Sequence, residues 1–117
     1  MSLPRGACVL VLFVTCVAHA SGYRCWAPAM QWSQECKADR YFWGMNDTAR
    51  ITYTVSVVES TRASMCCQGY SAVKDVFTTI GCSNTTIRWT MDWGNYISWP
   101  KIICYGNPNG TYVSWNF

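Results

Sequence analysis

The sequence predicts a small, mostly β, disulfide-rich single domain with short antiparallel strands and hairpins. Residues 51–58 alternate apolar and hydroxyl side chains with the period of two that a half-buried strand shows. Six cysteines follow residue 20, and an even number in so short a chain is typical of a disulfide framework. Clusters of Gly, Asn and Pro separate other β-branched and aromatic segments, as turns between strands do.

The first twenty residues have the three parts of a secretory signal. Arg5 precedes the apolar run Ala7 to Val17, and Ala18-His19-Ala20 follows it. The apolar run has eleven residues, well short of the roughly 20 that a membrane-spanning helix needs. An uncleaved anchor is the alternative. We expect residues 1–20 to be a signal peptide and residues 21–117 to form one secreted domain without membrane insertion.

The cysteines of the predicted domain are expected to be oxidised, since exported thiols form disulfides. They are Cys25, Cys36, Cys66, Cys67, Cys82 and Cys104. Side chains on neighbouring residues diverge, so the adjacent Cys66 and Cys67 should reach different partners. Because the strand at 51–58 leads towards them, we expect this pair at or just beyond the end of that strand.

Further short strands are predicted from β-branched and aromatic content, at 76–80, 85–90, 101–105 and 111–114. The segment Gly106 to Gly110 is dense in turn formers, and it predicts that the last two strands form a C-terminal hairpin. A helix is expected only around Gln31 to Phe42.

Three Asn-x-Ser/Thr acceptors agree with a secreted chain, since N-glycosylation occurs only on the secretory route. They are Asn46, Asn84 and Asn109. We expect a glycosylated extracellular protein.

Charge and histidine content argue against several functions. Nine Lys and Arg oppose six Asp and Glu, and the basic residues are scattered, so no nucleic-acid surface is predicted. The single histidine, His19, belongs to the signal, which removes the usual histidine-dependent nucleophiles and zinc sites. Glu35 and Asp39 formally resemble a glycosidase pair, but surface solvation is the better interpretation. We expect no enzyme activity, metal or cofactor.

Aromatic residues are unusually frequent. Seven Trp and seven Tyr occur alongside only 13% charged residues, against about 25% in an average domain. Some of this area should be exposed, where aromatic side chains are favoured contact residues. Four of these residues could stack on a glycan, with hydrophobic core as the alternative interpretation: Trp89, Trp93, Tyr96 and Trp99.

The run Thr52 to Val58, followed by Cys66-Cys67-Gln68-Gly69-Tyr70 and then Cys82, resembles the EMI domain of emilins, multimerins and multiple-EGF-like proteins. The resemblance covers about residues 23–83. It implies that Cys25 joins one member of the adjacent pair and Cys82 the other, which leaves Cys36 and Cys104 as the third pair.

The resemblance implies an extracellular protein-interaction module, associated with matrix or cell-surface proteins or with itself. The alternative is a small secreted disulfide-rich ligand, a toxin-like effector or a glycan-binding protein.

Overall fold

The computed structural model describes residues 22–58 and 63–117, so the predicted signal peptide lies outside the described residues. The described part contains strands and no helix, which confirms the mostly β prediction and makes the helix expected around Gln31 to Phe42 wrong. It also contains no helix long and apolar enough to cross a membrane. The strands are β1 (Tyr23–Ala27), β2 (Cys36–Lys37), β3 (Phe42–Trp43), β4 (Arg50–Val57), β5 (Ser64–Ser71), β6 (Val76–Ser83), β7 (Thr86–Asp92), β8 (Ile97–Ser98), β9 (Lys101–Asn107) and β10 (Thr111–Asn116).

Eight of the strands form two antiparallel sheets. The first sheet has the order β1-β10-β4-β7 and the second has the order β2-β9-β5-β6. The remaining strands, β3 and β8, pair with each other as a short ribbon.

The two sheets share one hydrophobic core. On β4, Ile51, Tyr53 and Val55 are buried, while the threonines between them are partly exposed, as their period of two predicts. Buried residues of the second sheet, such as Met65 and Ile102, belong to the same cluster. The sheets therefore pack face to face as a sandwich.

Cys66 and Cys67 lie within β5, so the prediction that they sit at or beyond the end of the preceding strand is wrong. Successive side chains on a strand point to opposite faces. Cys67 is buried on the inner face and bonds to Cys104 on β9, while Cys66 bonds to Cys82 on β6 on the outer face. As predicted, the two neighbours reach different partners.

Two of the pairings implied by the EMI resemblance are wrong. Cys82 does bond to one member of the adjacent pair, but Cys25 bonds to Cys36 instead of the other member. The strand register explains this result, because Cys104 lies directly opposite Cys67 across the β5–β9 pair. Cys25 lies on β1 in the first sheet, and its bond to Cys36 on β2 joins the two sheets.

The predicted C-terminal hairpin is also wrong. β9 pairs with β2 and β5, whereas β10 pairs with β1 and β4, so the turn formers carry the chain from one sheet to the other. A four-residue turn at 72–75 does join the antiparallel pair β5 and β6 into a hairpin.

Candidate binding surface

The ribbon of β3 and β8 separates its side chains onto two faces. Trp43 lies directly opposite Ile97, and Phe42 lies directly opposite Ser98. Residues that oppose each other in a ladder project on the same side, and successive residues project on opposite sides. Trp43 and Ile97 therefore occupy one face, and Phe42 occupies the other.

The inward face attaches the ribbon to the core. The Phe42 ring meets the rings of Trp93 and Phe117 edge-on, at centroid distances of 5.3 and 6.0 Å. Trp93 is fully buried, and its indole Nε1–H donates to the Tyr96 carbonyl oxygen at 3.0 Å. The Gly44 N–H also donates to that carbonyl oxygen. The residue after β3 and the residue before β8 are therefore held together.

The outward face consists of large side chains. Trp43 is 55% exposed and Ile97 is 61% exposed. Beside them Tyr41 and Trp99 stack, with ring centroids 4.4 Å apart. We call these four residues the ribbon face. Four large side chains exposed on and directly beside two short strands are the kind of patch that marks an interaction site.

One cation adjoins the ribbon face. The Lys37 ammonium lies 4.6 Å from the centre of the Trp99 ring, within the range of a cation–π contact. The surface therefore combines an apolar centre with a charged group at its edge. Protein interfaces commonly have an apolar centre and a polar rim.

The four aromatics predicted to form a glycan platform do not share one surface. Trp93 is in the core, so that part of the prediction is wrong, and its indole serves to anchor the ribbon. Trp99 belongs to the ribbon face, and Tyr96 is exposed next to β8. Trp89 is half exposed on β7, an edge strand of the first sheet.

The ribbon face was missed in the sequence because its two strands are only two residues long. A period of two needs about four residues to be recognised. The available signal was the alternation of large residues at Tyr41, Trp43 and Met45.

A groove lies elsewhere, in the connection between β1 and β2. It has a volume of about 430 Å³ and is lined by Trp26, Pro28, Gln31, Trp32, Ser33, Gln34, Glu35 and Cys36. The Cys25–Cys36 disulfide closes this connection at its base.

The acidic residues considered for glycosidase chemistry have separate partners. Glu35 Oε1 lies 3.3 Å from Lys101 Nζ, and Asp39 Oδ1 accepts a hydrogen bond from the Tyr23 hydroxyl at 2.9 Å. Each carboxylate has a surface partner of its own, and nothing joins them in one site. In residues 22–58 and 63–117, no cluster of ligating side chains could hold a metal ion.

The three predicted glycosylation acceptors are exposed in connections between strands. Asn46 Oδ1 accepts hydrogen bonds from the backbone N–H and the hydroxyl of Thr48, so the first acceptor forms an ordered turn.

Comparisons with protein-family models, curated proteins and solved structures found no match to this chain.

Proposed function

We propose that this chain is a secreted, non-enzymatic protein-interaction module whose contact surface is the ribbon face. The observation that carries the proposal is the exposure of Trp43 and Ile97 beside the stacked Tyr41 and Trp99. Exposing an apolar patch to water is unfavourable. Such a patch on a rigid support is therefore best explained by a partner that covers it.

The support of the ribbon favours binding. Phe42 holds it against the buried Trp93 ring, and the backbone bond from Gly44 fixes its register. A preorganised contact surface loses little conformational entropy when a partner binds. Tryptophan and tyrosine are also the residue types that contribute most at protein interfaces.

An extracellular setting is part of the proposal. Its support is the signal-like start of the sequence, the three disulfides and the three exposed glycosylation acceptors. Matrix proteins, cell-surface proteins and a second copy of this chain are the partners that such a setting offers.

A second copy of this chain is the first partner to test. Sedimentation equilibrium of the secreted protein should give an average mass that rises with concentration, and Trp43→Ser should keep the protein monomeric. Val76→Ser is the matched control, because Val76 is also exposed but lies on β6, outside the ribbon face.

Other partners require a second assay. Labelled wild-type protein should bind to cell surfaces or to matrix deposited by cultured cells. Pretreatment of those cells or that matrix with protease should abolish the binding. Trp43→Ser should reduce it by about tenfold or more, as expected for an interface tryptophan. A wild-type protein that stays monomeric and binds no better than Trp43→Ser would contradict the proposal.

A further inference from the structure

We infer that the groove between β1 and β2 is a binding site for a neutral saccharide. This site is separate from the ribbon face, and the inference does not depend on the proposed function. The volume of about 430 Å³ falls within the range of about 300–1,000 Å³ that is usual for small-ligand pockets.

The groove wall is held in place by several independent contacts. The backbone N–H groups of Met30 and Ser33 donate to carbonyl oxygens of β9 at 2.8 Å each. The Ser33 hydroxyl oxygen accepts a hydrogen bond from the Cys104 N–H at 3.0 Å. Together with the Cys25–Cys36 disulfide, these bonds fix the connection against the second sheet.

Two indoles line the groove, and each contacts a second aromatic ring. Trp26 is 48% exposed and packs against Tyr112, with ring centroids 4.7 Å apart. Trp32 is 44% exposed and meets the Tyr105 ring edge-on at 4.8 Å. Each indole therefore offers a fixed apolar surface on which the C–H face of a sugar ring can stack.

Polar groups with free hydrogen-bonding capacity lie beside the indoles. In the described part of the chain, neither Gln31 nor Gln34 has a hydrogen-bond partner for its side-chain amide. A side-chain amide both donates and accepts, and so does each hydroxyl of a sugar. The combination of apolar faces and amides matches a pyranose ring, which is apolar on its C–H face and polar at its rim.

Charge selects against ionic ligands. The described groove-lining residues include no Lys, Arg or His that could hold an anion. The only lining carboxylate, Glu35, is paired with Lys101 at 3.3 Å, so a cationic ligand would have to compete with that lysine. A neutral ligand matches a groove that has no lining cation and only a paired carboxylate.

A proline-rich peptide is less suitable, because its proline residues have no N–H to donate to the amide and carboxylate oxygens.

The test uses five neutral disaccharides as probes: lactose, N-acetyllactosamine, diacetylchitobiose, mannobiose and cellobiose. Each is titrated to about 20 mM into the ¹⁵N-labelled protein, which reveals binding even in the millimolar range. At least one disaccharide should shift the indole N–H signals of Trp26 and Trp32 saturably. The indole signal of Trp43, on the ribbon face, serves as the internal control.

Two groove variants should weaken that binding by about tenfold or more, namely Trp32→Ala and Gln34→Ala. Gln34 is exposed, so its variant should fold even if the loss of the Trp32 ring disturbs the wall. Trp43→Ser should bind the disaccharide as the wild type does. The inference is overturned if no disaccharide shifts Trp26 or Trp32, if a proline-rich decapeptide shifts them and no disaccharide does, or if the variants in the groove bind normally.

Discussion

Tyr70 lies at the centre of a polar network on the second sheet. Its hydroxyl donates to Asp75 Oδ1 at 2.5 Å, and the Lys101 ammonium lies 4.5 Å from the centre of its ring. The hydrogen bond to Asp75, with a smaller contribution from burial, raises the pKa of Tyr70 to about 12. Burial also raises the pKa of Tyr53, whose hydroxyl donates to the Tyr70 carbonyl oxygen at 2.7 Å. The protonated form is therefore favoured in both phenols, by the Asp75 hydrogen bond in Tyr70 and by burial in Tyr53.

These shifts predict that the fold loses stability in alkaline solution. An unfolded tyrosine releases its proton near pH 10, whereas Tyr70 keeps its proton to about pH 12. Between those values the unfolded state binds fewer protons, so the free energy of unfolding should fall as the pH rises. Urea unfolding at several pH values measures this decrease, which should be smaller in Tyr70→Phe. An identical pH dependence in Tyr70→Phe and the wild type would contradict the assignment.

Among the elements, β5 contributes most to the organisation of the second sheet. It pairs with β6 on one side and with β9 on the other, and each pair carries a disulfide. Just after the cysteines its register against β6 shifts, and the bulge includes Gly81, whose φ of 134° favours glycine. Gly69, further along β5, leaves room for the ring of Tyr53: a Cβ atom there would lie 2.7 Å from the Tyr53 Cδ2 atom.

Gly69→Ala should destabilise the protein by about 1–3 kcal/mol, which is the usual cost of overpacking a core. Tyr53 is fully buried, so its ring has little space into which it could shift. Gln68→Ala is the control, because Gln68 points to the opposite face of the same strand and is partly exposed. Chemical denaturation of both variants checks this expectation, and equal midpoints for Gly69→Ala and the wild type would contradict it.

The elements that could be predicted are those with a local signal. The alternation along β4 located that strand to within a residue, because its period of two reflects burial on one face only. The partners of β9 could not be predicted, since turn formers indicate that the chain reverses but not which sheet it then joins. The Cys67–Cys104 bond could not be predicted either, because it depends on the register in which β9 pairs with β5. The ribbon face combines residues far apart in sequence, so it appears only when the chain is folded. The groove is lined by residues of one short connection, and its shape depends on how that connection is held against β9.

At the scale of the whole molecule, the sandwich has no disulfide between its sheets other than Cys25–Cys36 in the described residues, and the other two bonds lie within the second sheet. The shared core must therefore supply most of the cohesion between the sheets. Its largest fully buried side chains include Trp93, Trp115 and Tyr53. The three exposed glycosylation acceptors lie at connections, so glycans there would leave this core undisturbed.

The whole chain is predicted to be exported and glycosylated. Expression in a mammalian secretory line should release a protein that starts after residue 20, and peptide-N-glycosidase F should lower its mass. Substituting Asn46, Asn84 and Asn109 together with Gln should remove that sensitivity. N-terminal sequencing and mass spectrometry provide the measurements, and a cell-retained or unglycosylated wild-type product would contradict the prediction.

The adjacent cysteines on opposite faces of β5 also determine how the chain survives cleavage. The Cys66–Cys82 and Cys67–Cys104 bonds overlap along the sequence, so residues between Cys67 and Cys82 belong to two covalent rings at once. A single protease cut between Cys67 and Cys104 therefore opens a ring without releasing any fragment. A nicked molecule would gain only the one water molecule that hydrolysis adds, and its two pieces would separate only after the disulfides are reduced.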